Sequence, residues 1–518
     1  MRTFPLTRAR LAAALILTAC LLSRAAAQDV IVYSATPGGI AAAVSAAKGG
    51  QEVLLIEPTE RIGGLLTSGL SYSDFRSFEA ISGFYHDFAR EVIEDYTGCY
   101  GADSPQVRDC FRGMLAEPSV NLRVFGKMIA ARPEIKVVTG ERLVAAETGP
   151  FEAGRRRLLS VTTVSATGET TTHRAKVFID GSYEGDLMAA AGESYHVGRE
   201  SRAQYGEPMA GDREGRADGQ VQGYNFRFIM TQVEENKLMA EAPEGYNRED
   251  FAGVLQHFES GKLKKVFDSG HHGIYRAHLP LLPSGKTGVN DTPHAPVRLS
   301  MPDINDAYPE ATHEQRQEII RAHQYYNVGL LHFLQHDDAV PAAVREDARS
   351  WGWCRDEFTE TGGLPPQLYI REARRMVGQH VFTGNDTAQI PDDARGVLHR
   401  DAIAIGDYVH NCHGTGRKGS RYEGTHSGEF YKPVPPYQIA AGVIIPQKTA
   451  NLLVPVACSA SQSPCRSRSP AYPGAPPTLA GNHSASLADF PVTRIEWIRA
   501  AHAIAHGDGT NPDRRSPE

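Results

Sequence analysis

Residues 29–57 contain a strand, a tight turn, a helix and a second strand in immediate succession. The β-branched run at residues 29–33 predicts the first strand, and the turn at residues 34–39 follows it directly. The Ala-rich residues 40–47 predict a helix that packs closely on a sheet, and residues 52–57 predict the second strand. A βαβ unit of this kind, about 30 residues long, predicts an α/β fold with a parallel sheet.

The turn in this unit occupies the place of a G-x-G-x-x-G fingerprint. Ser34, Thr36 and Gly39 stand at its three glycine positions, so only the third glycine is present. The following helix directs its free N–H groups and its positive dipole end at the turn, which suits a pyrophosphate. Glu57 ends the second strand, where a carboxylate can accept the hydroxyls of an adenosine ribose. On this motif alone, nucleotide binding and a plain βαβ unit both remain open.

A glycine pair and several later stretches of the sequence bear on this choice. Gly63 and Gly64 form a glycine pair that allows backbone to lie against a large flat or phosphorylated ligand. Five later stretches carry the resemblance: residues 177–187 (VFIDGSYEGDL), 222–227 (QGYNFR), 369–375 (YIREARR), 437–439 (YQI) and 451–456 (NLLVPV). Taken in order with the first turn, they resemble the FAD-dependent oxidoreductases, in particular a secreted branch of that family.

The resemblance implies a flavin fold of the glutathione-reductase type. This fold is α/β: a doubly wound, Rossmann-like FAD-binding domain (residues 29–200 and 365–461) with an inserted α+β substrate domain (residues 201–364). FAD is the implied cofactor, and hydride transfer between a small organic substrate and flavin N5 is the implied reaction. By position, the implied cofactor contacts are Thr36, Pro37, Gly38 and Gly39 at the pyrophosphate, Glu57 at the ribose, Gly63 and Gly64 near the pyrophosphate and ribityl chain, and the Leu143 backbone at the adenine.

Arg371, Arg374 and Arg375 form a compact cationic cluster on the substrate side. On a helix, Arg371 and Arg374 would share a face, with Arg375 close by. Arginine forks hold carboxylates well, so one interpretation is that Arg371 and Arg374 contact a small substrate, acidic or sugar-derived. The alternative is that these arginines pair with acids of the domain or with the FAD phosphates.

His410, Cys412 and His413 form a second cluster, which we expect in a loop after a strand-like run at residues 401–408. His413 falls where the family has a histidine, so the resemblance implies a general base or a flavin neighbour there. A metal site at this cluster lacks a fourth ligand, so we expect none. Covalent flavin attachment is a further alternative. The pairs His271–His272 and Asp337–Asp338 are typical of solvated loops.

The N-terminus has the pattern of a secretory signal. Three arginines precede an apolar run at residues 11–22, and Ala25-Ala26-Ala27 supplies a cleavage site, so we expect export with cleavage after Ala27. Leu17–Cys20 also resembles a lipoprotein box, with Cys20 as the lipidated residue. Residues 1–27 hold four Arg and no acid, so their removal takes the formal charge from −7 to −11. An acidic chain disfavours nucleic acid as the main partner.

The sequence also limits cross-links, membrane spans and other enzyme classes. Cys99 and Cys110 flank a polar loop and are the best-placed disulfide pair, with two unpaired thiols as the alternative. No stretch has the length and apolar character of a transmembrane helix. The chain contains no G-x-S-x-G, Walker A or H-E-x-x-H motif, so hydrolase, kinase and zincin functions lack support.

The family resemblance stops after residue 461. Family members continue into a helix that points its N-terminus at the flavin, whereas residues 462–518 contain eight prolines and a Ser/Arg-rich patch, which predicts disorder. A shifted reading frame is one explanation and a natural divergent tail is the other. Two alternatives to a flavin enzyme follow: a protein of this fold with weak or no FAD binding, or an exported carbohydrate-associated binding protein.

Overall fold

The computed structural model describes residues 28–73, 81–212, 214–406 and 408–461. The predicted signal, Cys20 and the tail from residue 462 lie outside the described residues, so the expectations about them stay predictions. Within the described ranges, no helix combines the length and the apolar character needed to cross a membrane.

The strands of the described ranges are, in chain order, β1 (Gln28–Tyr33), β2 (Val53–Ile56), β3 (Ile135–Val138), β4 (Arg142–Thr148), β5 (Leu158–Val164), β6 (Thr170–His173), β7 (Ala175–Asp180), β8 (Tyr195–His196), β9 (Phe228–Thr231), β10 (Lys237–Leu238), β11 (Phe267–Asp268), β12 (Tyr275–Ala277), β13 (Lys286–Asp291), β14 (Gly352–Cys354), β15 (Arg375–Met376), β16 (Ala402–Gly406), β17 (His410–Lys418), β18 (Thr425–Lys432), β19 (Tyr437–Ala440) and β20 (Leu452–Leu453). The α-helices are α1 (Pro37–Lys48), α2 (Gly83–Tyr100), α3 (Pro105–Asp109), α4 (Pro118–Ala130), α5 (Asp186–Ala190), α6 (Arg202–Tyr205), α7 (Glu249–Ala252), α8 (Leu255–Glu259), α9 (His313–His336) and α10 (Ala342–Arg349). The 3₁₀ turns are Gly64–Thr67, Glu234–Asn236, Pro283–Gly285, Tyr308–Glu310, Thr359–Thr361 and Ala441–Val443.

A parallel five-stranded sheet with the order β20-β7-β1-β2-β3 forms the first layer. Successive side chains of a strand point to opposite faces. Val30 and Val32 accordingly face a core that includes helix α1 and Phe125 of α4. Ile31 and Tyr33 face a second core, to which the antiparallel sheet β4-β5-β6 contributes. Both faces of the sheet are covered, and the predicted doubly wound α/β fold is confirmed.

A second sheet of six strands has the order β10-β14-β9-β13-β12-β11 and is mostly antiparallel. One face packs on helix α9: Phe228, Met230, Tyr275 and Val289 lie in the same apolar core as Leu330. The opposite face is mixed: Arg276 and Asn290 lie on it, and Ile229 and Cys354 pack there with Tyr72.

Local sequence patterns also predict elements outside the first βαβ unit. Short apolar and β-branched runs predict strands at residues 135–139, 142–146, 158–163 and 175–179 with a hairpin within 158–176, and β3 to β7 are present there. The pattern Thr312-x-x-Gln315 predicts a capping box, and the two residues form one at the start of α9. Pro341 is typical of a first helical position, but in the structure it is the N-cap of α10, one position before the helix.

The expected Cys99–Cys110 disulfide is wrong, because both thiols are free. Cys99 is exposed at the end of α2. Cys110 is buried after α3, and its thiol lies 3.1 Å from the carbonyl oxygen of Val107. The short helix α3 between the two cysteines turns the buried thiol toward its own backbone.

Candidate functional site

The turn between β1 and α1 closes at the carboxyl edge of the parallel sheet. Thr36 is the N-cap of α1: its hydroxyl accepts the Gly39 N–H at 3.2 Å and donates to the Gly181 carbonyl at 2.6 Å. A Cβ at Gly39 would lie 2.0 Å from the Ser34 carbonyl oxygen, so only glycine permits this approach of helix and strand. Ser34 has φ 72°, the left-handed backbone that a glycine would adopt. The turn therefore keeps the shape of the fingerprint although two of its glycines are absent.

The Glu57 side chain reaches from the end of β2 to this turn. Its Oε2 accepts the Ala35 N–H at 2.7 Å and the Ser34 hydroxyl at 3.3 Å. Its Oε1 accepts the N–H and the hydroxyl of Thr59 at 3.0 and 2.7 Å. Burial raises the pKa of the Glu57 carboxyl, and these hydrogen bonds oppose that rise. The carboxylate thus lies at the carboxyl end of β2, beside the turn that follows β1, where the acidic residue of a dinucleotide-binding βαβ unit is found.

Gly63 and Gly64 are tied to the same turn. The Gly63 N–H donates to the Ala35 carbonyl at 2.7 Å, and both glycines have positive φ, 91° and 51°. A Cβ at Gly63 would lie 2.2 Å from Thr67 Cγ2, and one at Gly64 would lie 2.6 Å from the Tyr183 hydroxyl. Thr67 and Tyr183 therefore pack against the glycine backbone, and both positions need glycine for their positive φ and for this close packing.

The structure thus brings residues 36–39, Glu57, Gly63 and Gly64 together at one edge of the sheet. These residues fit FAD: a helix N-terminus for the pyrophosphate, a carboxylate for the ribose, and glycine backbone for the ribityl chain. Leu143 lies in β4, and its N–H donates to the Tyr33 hydroxyl at 3.1 Å at the end of β1. Its contact with the adenine stays a prediction.

Residues 371–374 form no helix and lead into β15, so the compact arginine cluster, in which Arg371 and Arg374 share a helix face with Arg375 close by, is wrong. Arg374 forms ion pairs with Asp186 and Glu310, both at 2.7 Å. Arg375 forms an ion pair with Glu200 at 2.7 Å. These two arginines follow the alternative interpretation, in which they pair with acids of the protein.

Arg371 points the other way and is buried. Its Nε donates to the Gly223 carbonyl at 2.8 Å, and its Nη2 donates to the Asn225 side-chain oxygen at 2.5 Å. Its guanidinium carbon lies 4.5 Å from the centroid of the Tyr369 ring, and that of Arg227 lies 5.9 Å from the same centroid. Tyr369 packs with Leu65, so this arginine pair adjoins the glycine segment of the cofactor site.

The polar face of the six-stranded sheet continues from Arg371. Asn290 Oδ1 lies 3.4 Å from Arg371 Nη2, and Asn290 is directly opposite Arg276 in the β12–β13 register. Side chains opposite each other in an antiparallel pair lie on one face, and His278, two residues after Arg276, follows on that face. A Cβ at Gly288 would lie 3.7 Å from Arg227 Nη2, which places the fourth side chain over the same surface. Arg227, Arg276, His278 and Arg371 are all at least nine-tenths buried.

The positive charges of this face affect two histidines. Burial, and then the charges of Arg227 and Arg276, lower the pKa of His278 well below its usual value. Burial lowers the pKa of His413 well below its usual value as well, and the charges of four arginines lower it further, with Arg371 contributing most among them. His278 Nε2 and His413 Nδ1 are buried and have no hydrogen-bond partner in the described ranges. Buried polar atoms of this kind mark a place where a ligand or water is expected.

His410, Cys412 and His413 lie in strand β17, so the expectation of a loop is wrong: pairing with β18 imposes the extended form. Because strand side chains alternate, Cys412 packs with Phe430 while the His413 side chain lies on the other face of the strand. The backbone N–H of His413 donates to Gln222 Oε1 at 3.1 Å. Burial, and then the charge of Lys432, lower the pKa of His410 to about 4.

Sequence reasoning missed Arg227, Arg276, His278 and Asn290 as members of this site. Arg227 closes the stretch at residues 222–227 that carries the resemblance, but nothing in that stretch indicates its neighbours. The sequence does contain one indication of this site: Arg276 and His278 alternate with apolar residues in and beyond β12. A charged side chain in a buried strand is costly unless it has a partner, so this pattern indicates either an ion pair or a functional role. The Asp337–Asp338 pair is structural: Asp337 pairs with Arg248 at the end of α9.

Several solved structures resemble parts of the chain. The p-nitrophenol 4-monooxygenase PnpA from Pseudomonas putida DLL-E4 is 11% identical, with 68% of this chain and 70% of that chain covered and a TM-score of 0.28. THI4 from Thermovibrio ammonificans is 17% identical, with 38% and 74% covered and a TM-score of 0.25. The bacillithiol disulfide reductase Bdr from Bacillus cereus is also 17% identical, with 30% and 39% covered and a TM-score of 0.20.

Sequence comparison gives the family. Among curated protein sequences, none matches this chain. The sequence model of the family described as FAD dependent oxidoreductase matches residues 29–465, which is most of the chain and includes both the glycine turn and the polar face. The chain therefore belongs to the FAD-dependent oxidoreductase family.

Proposed function

We propose that this chain is an exported oxidoreductase that transfers a hydride between flavin N5 and a small anionic organic substrate. The predicted signal in residues 1–27 supports export. FAD is the cofactor, and when bound it supplies the two-electron chemistry. The observation that carries the substrate class is the convergence of buried arginines on two neutral histidines, next to the glycine segment of the cofactor site.

The arginines account for binding. Arg227, Arg276 and Arg371 approach one polar surface from three separate parts of the chain, and the Tyr72 ring covers Gly288 beside Arg227, 3.1 Å from where a Cβ would lie. A guanidinium hydrogen bond to an anion contributes about 1.5–3 kcal/mol, so two such bonds suffice for a specific carboxylate or phosphate site. Arg298, another buried arginine, forms ion pairs with Asp291 and Glu429 at 2.5 and 3.0 Å.

The histidines account for proton movement. Both are neutral at neutral pH, so each carries one nitrogen that accepts and one that donates, the tautomer deciding which. A bound anion offsets the arginine charges and therefore raises the pKa of His278 and His413. Either imidazole then accepts the proton that a substrate hydroxyl or amine releases when its carbon gives up a hydride. Anion binding and proton uptake are coupled by this arrangement.

Absorption spectroscopy of the purified full chain tests the proposal in two stages. A visible flavin spectrum, or saturable binding of added FAD, is expected first. Titration with acetate, succinate and inorganic phosphate should then perturb the flavin spectrum saturably, with uptake of protons measured in weakly buffered solution. Arg276→Gln should weaken that response at least tenfold, whereas the exposed control Arg108→Gln should not change it.

The two stages separate the alternatives. A chain that binds no FAD contradicts the oxidoreductase and favours the protein of the same fold without activity, as the divergence after residue 461 suggests. Replacing residues 462–518 with a family-like helix should then restore flavin. A flavin-bound chain whose spectrum responds to neutral sugars and not to anions contradicts the anionic substrate alone.

A further inference from the structure

Three side chains outside the flavin and arginine regions converge between β15 and β16. His380 Nε2 lies 2.9 Å from Asp386 Oδ1, and His399 Nε2 lies 3.2 Å from the same oxygen. The ligand atoms of all three residues lie within 4.8 Å of one another. Two imidazoles and one carboxylate therefore point at a common volume.

A hydrogen-bonded cluster explains only part of this geometry. The contact of His380 with Asp386 meets the geometry of a hydrogen bond. The Nε2 of His399 is buried and makes no hydrogen bond within the described ranges, although the Asp386 oxygen is only 3.2 Å away. The nitrogen is directed beside that oxygen rather than at it, as expected when both atoms are oriented toward a third one.

Thr383 fixes the orientation of the Asp386 carboxylate. The second oxygen of Asp386 accepts the N–H and the hydroxyl of Thr383 at 2.7 and 2.9 Å. An outer contact of this kind orients a carboxylate ligand in metal sites. The two histidines are held through their main chain: the backbone N–H of His380 donates to the Gly442 carbonyl at 3.1 Å, and the backbone N–H of His399 donates to Gln438 Oε1 at 2.7 Å.

We propose that His380, Asp386 and His399 bind one divalent first-row transition metal ion, for which Zn²⁺ is the reference. Metal–ligand bonds of about 2.0–2.2 Å in a tetrahedron separate neighbouring ligand atoms by about 3.3 Å, close to the distances observed here. Imidazole ligands favour Zn²⁺ and its neighbours over Ca²⁺ and Mg²⁺, which prefer oxygen. His380 is about one-third exposed, so water can take the fourth position.

The ion would close the loop between residues 380 and 399 against β19. A ligand that binds only the folded chain stabilises it in proportion to its occupancy. The proposal is independent of flavin binding and of the anionic substrate, because none of the three residues belongs to either group of side chains.

Metal analysis of the full chain, purified from chelated buffers and dialysed against Zn²⁺, tests the site. We expect one equivalent of zinc per chain, a rise in melting temperature of about 3 °C at one hundred times the dissociation constant, and Co²⁺ bands typical of low coordination number. Asp386→Asn keeps the size and the Thr383 contacts of the side chain, and His399→Ala removes a ligand. Each should lower zinc affinity more than about 100-fold, since loss of even an outer contact costs about 10–100-fold.

Matched controls are Asp338→Asn and His86→Ala, which change the same residue types at exposed positions. They should leave zinc affinity and the metal-dependent rise in melting temperature unchanged. The flavin spectrum should be the same in all four variants. Zinc binding that is absent from the unmodified chain, or equal in the unmodified chain and in Asp386→Asn, would overturn the proposal and leave a hydrogen-bonded cluster only.

Discussion

Replacement of Glu57 separates cofactor binding from the stability of the turn. The carboxylate accepts hydrogen bonds from Ala35 and Thr59 on either side, and it also lies where the ribose hydroxyls of FAD are expected. Glu57→Ala removes both functions. Glu57→Gln keeps the shape but turns an NH₂ group toward one of the two backbone N–H donors, so one buried donor loses its acceptor.

The two effects have different sizes. Loss of a charged acceptor for two ribose hydroxyls costs about 2–4 kcal/mol of binding, which is a loss of about 30- to 1000-fold in FAD affinity. A buried N–H without an acceptor costs about 1–3 kcal/mol of folding free energy. Glu57→Gln should therefore lose most of the affinity and lower the free energy of unfolding by that smaller amount.

Fluorescence titration of the flavin-free chain with FAD measures the first effect, and thermal unfolding without FAD measures the second. Glu60→Gln is the control, because Glu60 is exposed on the same segment and should change neither quantity. Dissociation constants for Glu57→Gln and Glu57→Ala within threefold of the unmodified chain would refute the assignment, and Glu57 would then only hold the turn.

Three further predictions concern packing and pH. Gly39→Ala should lower the free energy of unfolding by about 1–3 kcal/mol because its Cβ meets a carbonyl oxygen at 2.0 Å, whereas Gly98→Ala, with no atom within 4 Å, should raise it slightly. Burial raises the pKa of Glu117 from 4.5 to about 7 in the folded chain. The unfolded chain therefore releases this proton first, and the stability that the protonated carboxyl contributes is lost as pH rises from 4.5 through 7. Relative to Glu117→Gln, the free energy of unfolding of the unmodified chain should fall by about 3 kcal/mol over this range in denaturant titrations. Val289→Ala should lower the free energy of unfolding by about 1–3 kcal/mol without altering the response of the flavin spectrum to anions. Arg276→Gln should weaken that spectral response and leave the free energy of unfolding nearly unchanged.

Local patterns were sufficient for the cofactor side of the molecule. The turn, Gly39 and Glu57 lie within one βαβ unit, so short-range sequence places them together, and the capping box at Thr312 fixes the start of α9 in the same way. What the pattern did not reveal is the conformation of Ser34. Ser34, with a positive φ, keeps the shape of a turn whose sequence lacks the first glycine of the fingerprint.

Long-range pairing decided the elements that were predicted wrongly. Residues 410–413 precede several glycines, a pattern typical of a loop. Pairing with β18 makes them a strand, and the local sequence contains no indication of that pairing. The Arg-Glu-Ala-Arg-Arg run favours a helix by propensity, yet Tyr369 forms a bridge with Asn225, Arg375 enters β15, and no helix forms between them. Each arginine then goes to a different set of partners, which only the tertiary structure defines.

The alternation of strand side chains explains how one sheet carries both a core and a polar site. Tyr275 and Val289 pack on α9, while Arg276 and Asn290, one position further along each strand, face the opposite way. Exchange of a polar-face residue therefore leaves the apolar contacts of its neighbours intact, and the register of the sheet does not change. The cofactor edge has no such freedom, because Gly39, Gly63 and Gly64 each exclude a side chain by contact with backbone or buried atoms. Substrate preference in a fold built this way can diverge through the polar face while the flavin edge stays fixed, and for that reason the sequence resemblance identifies the cofactor but not the substrate.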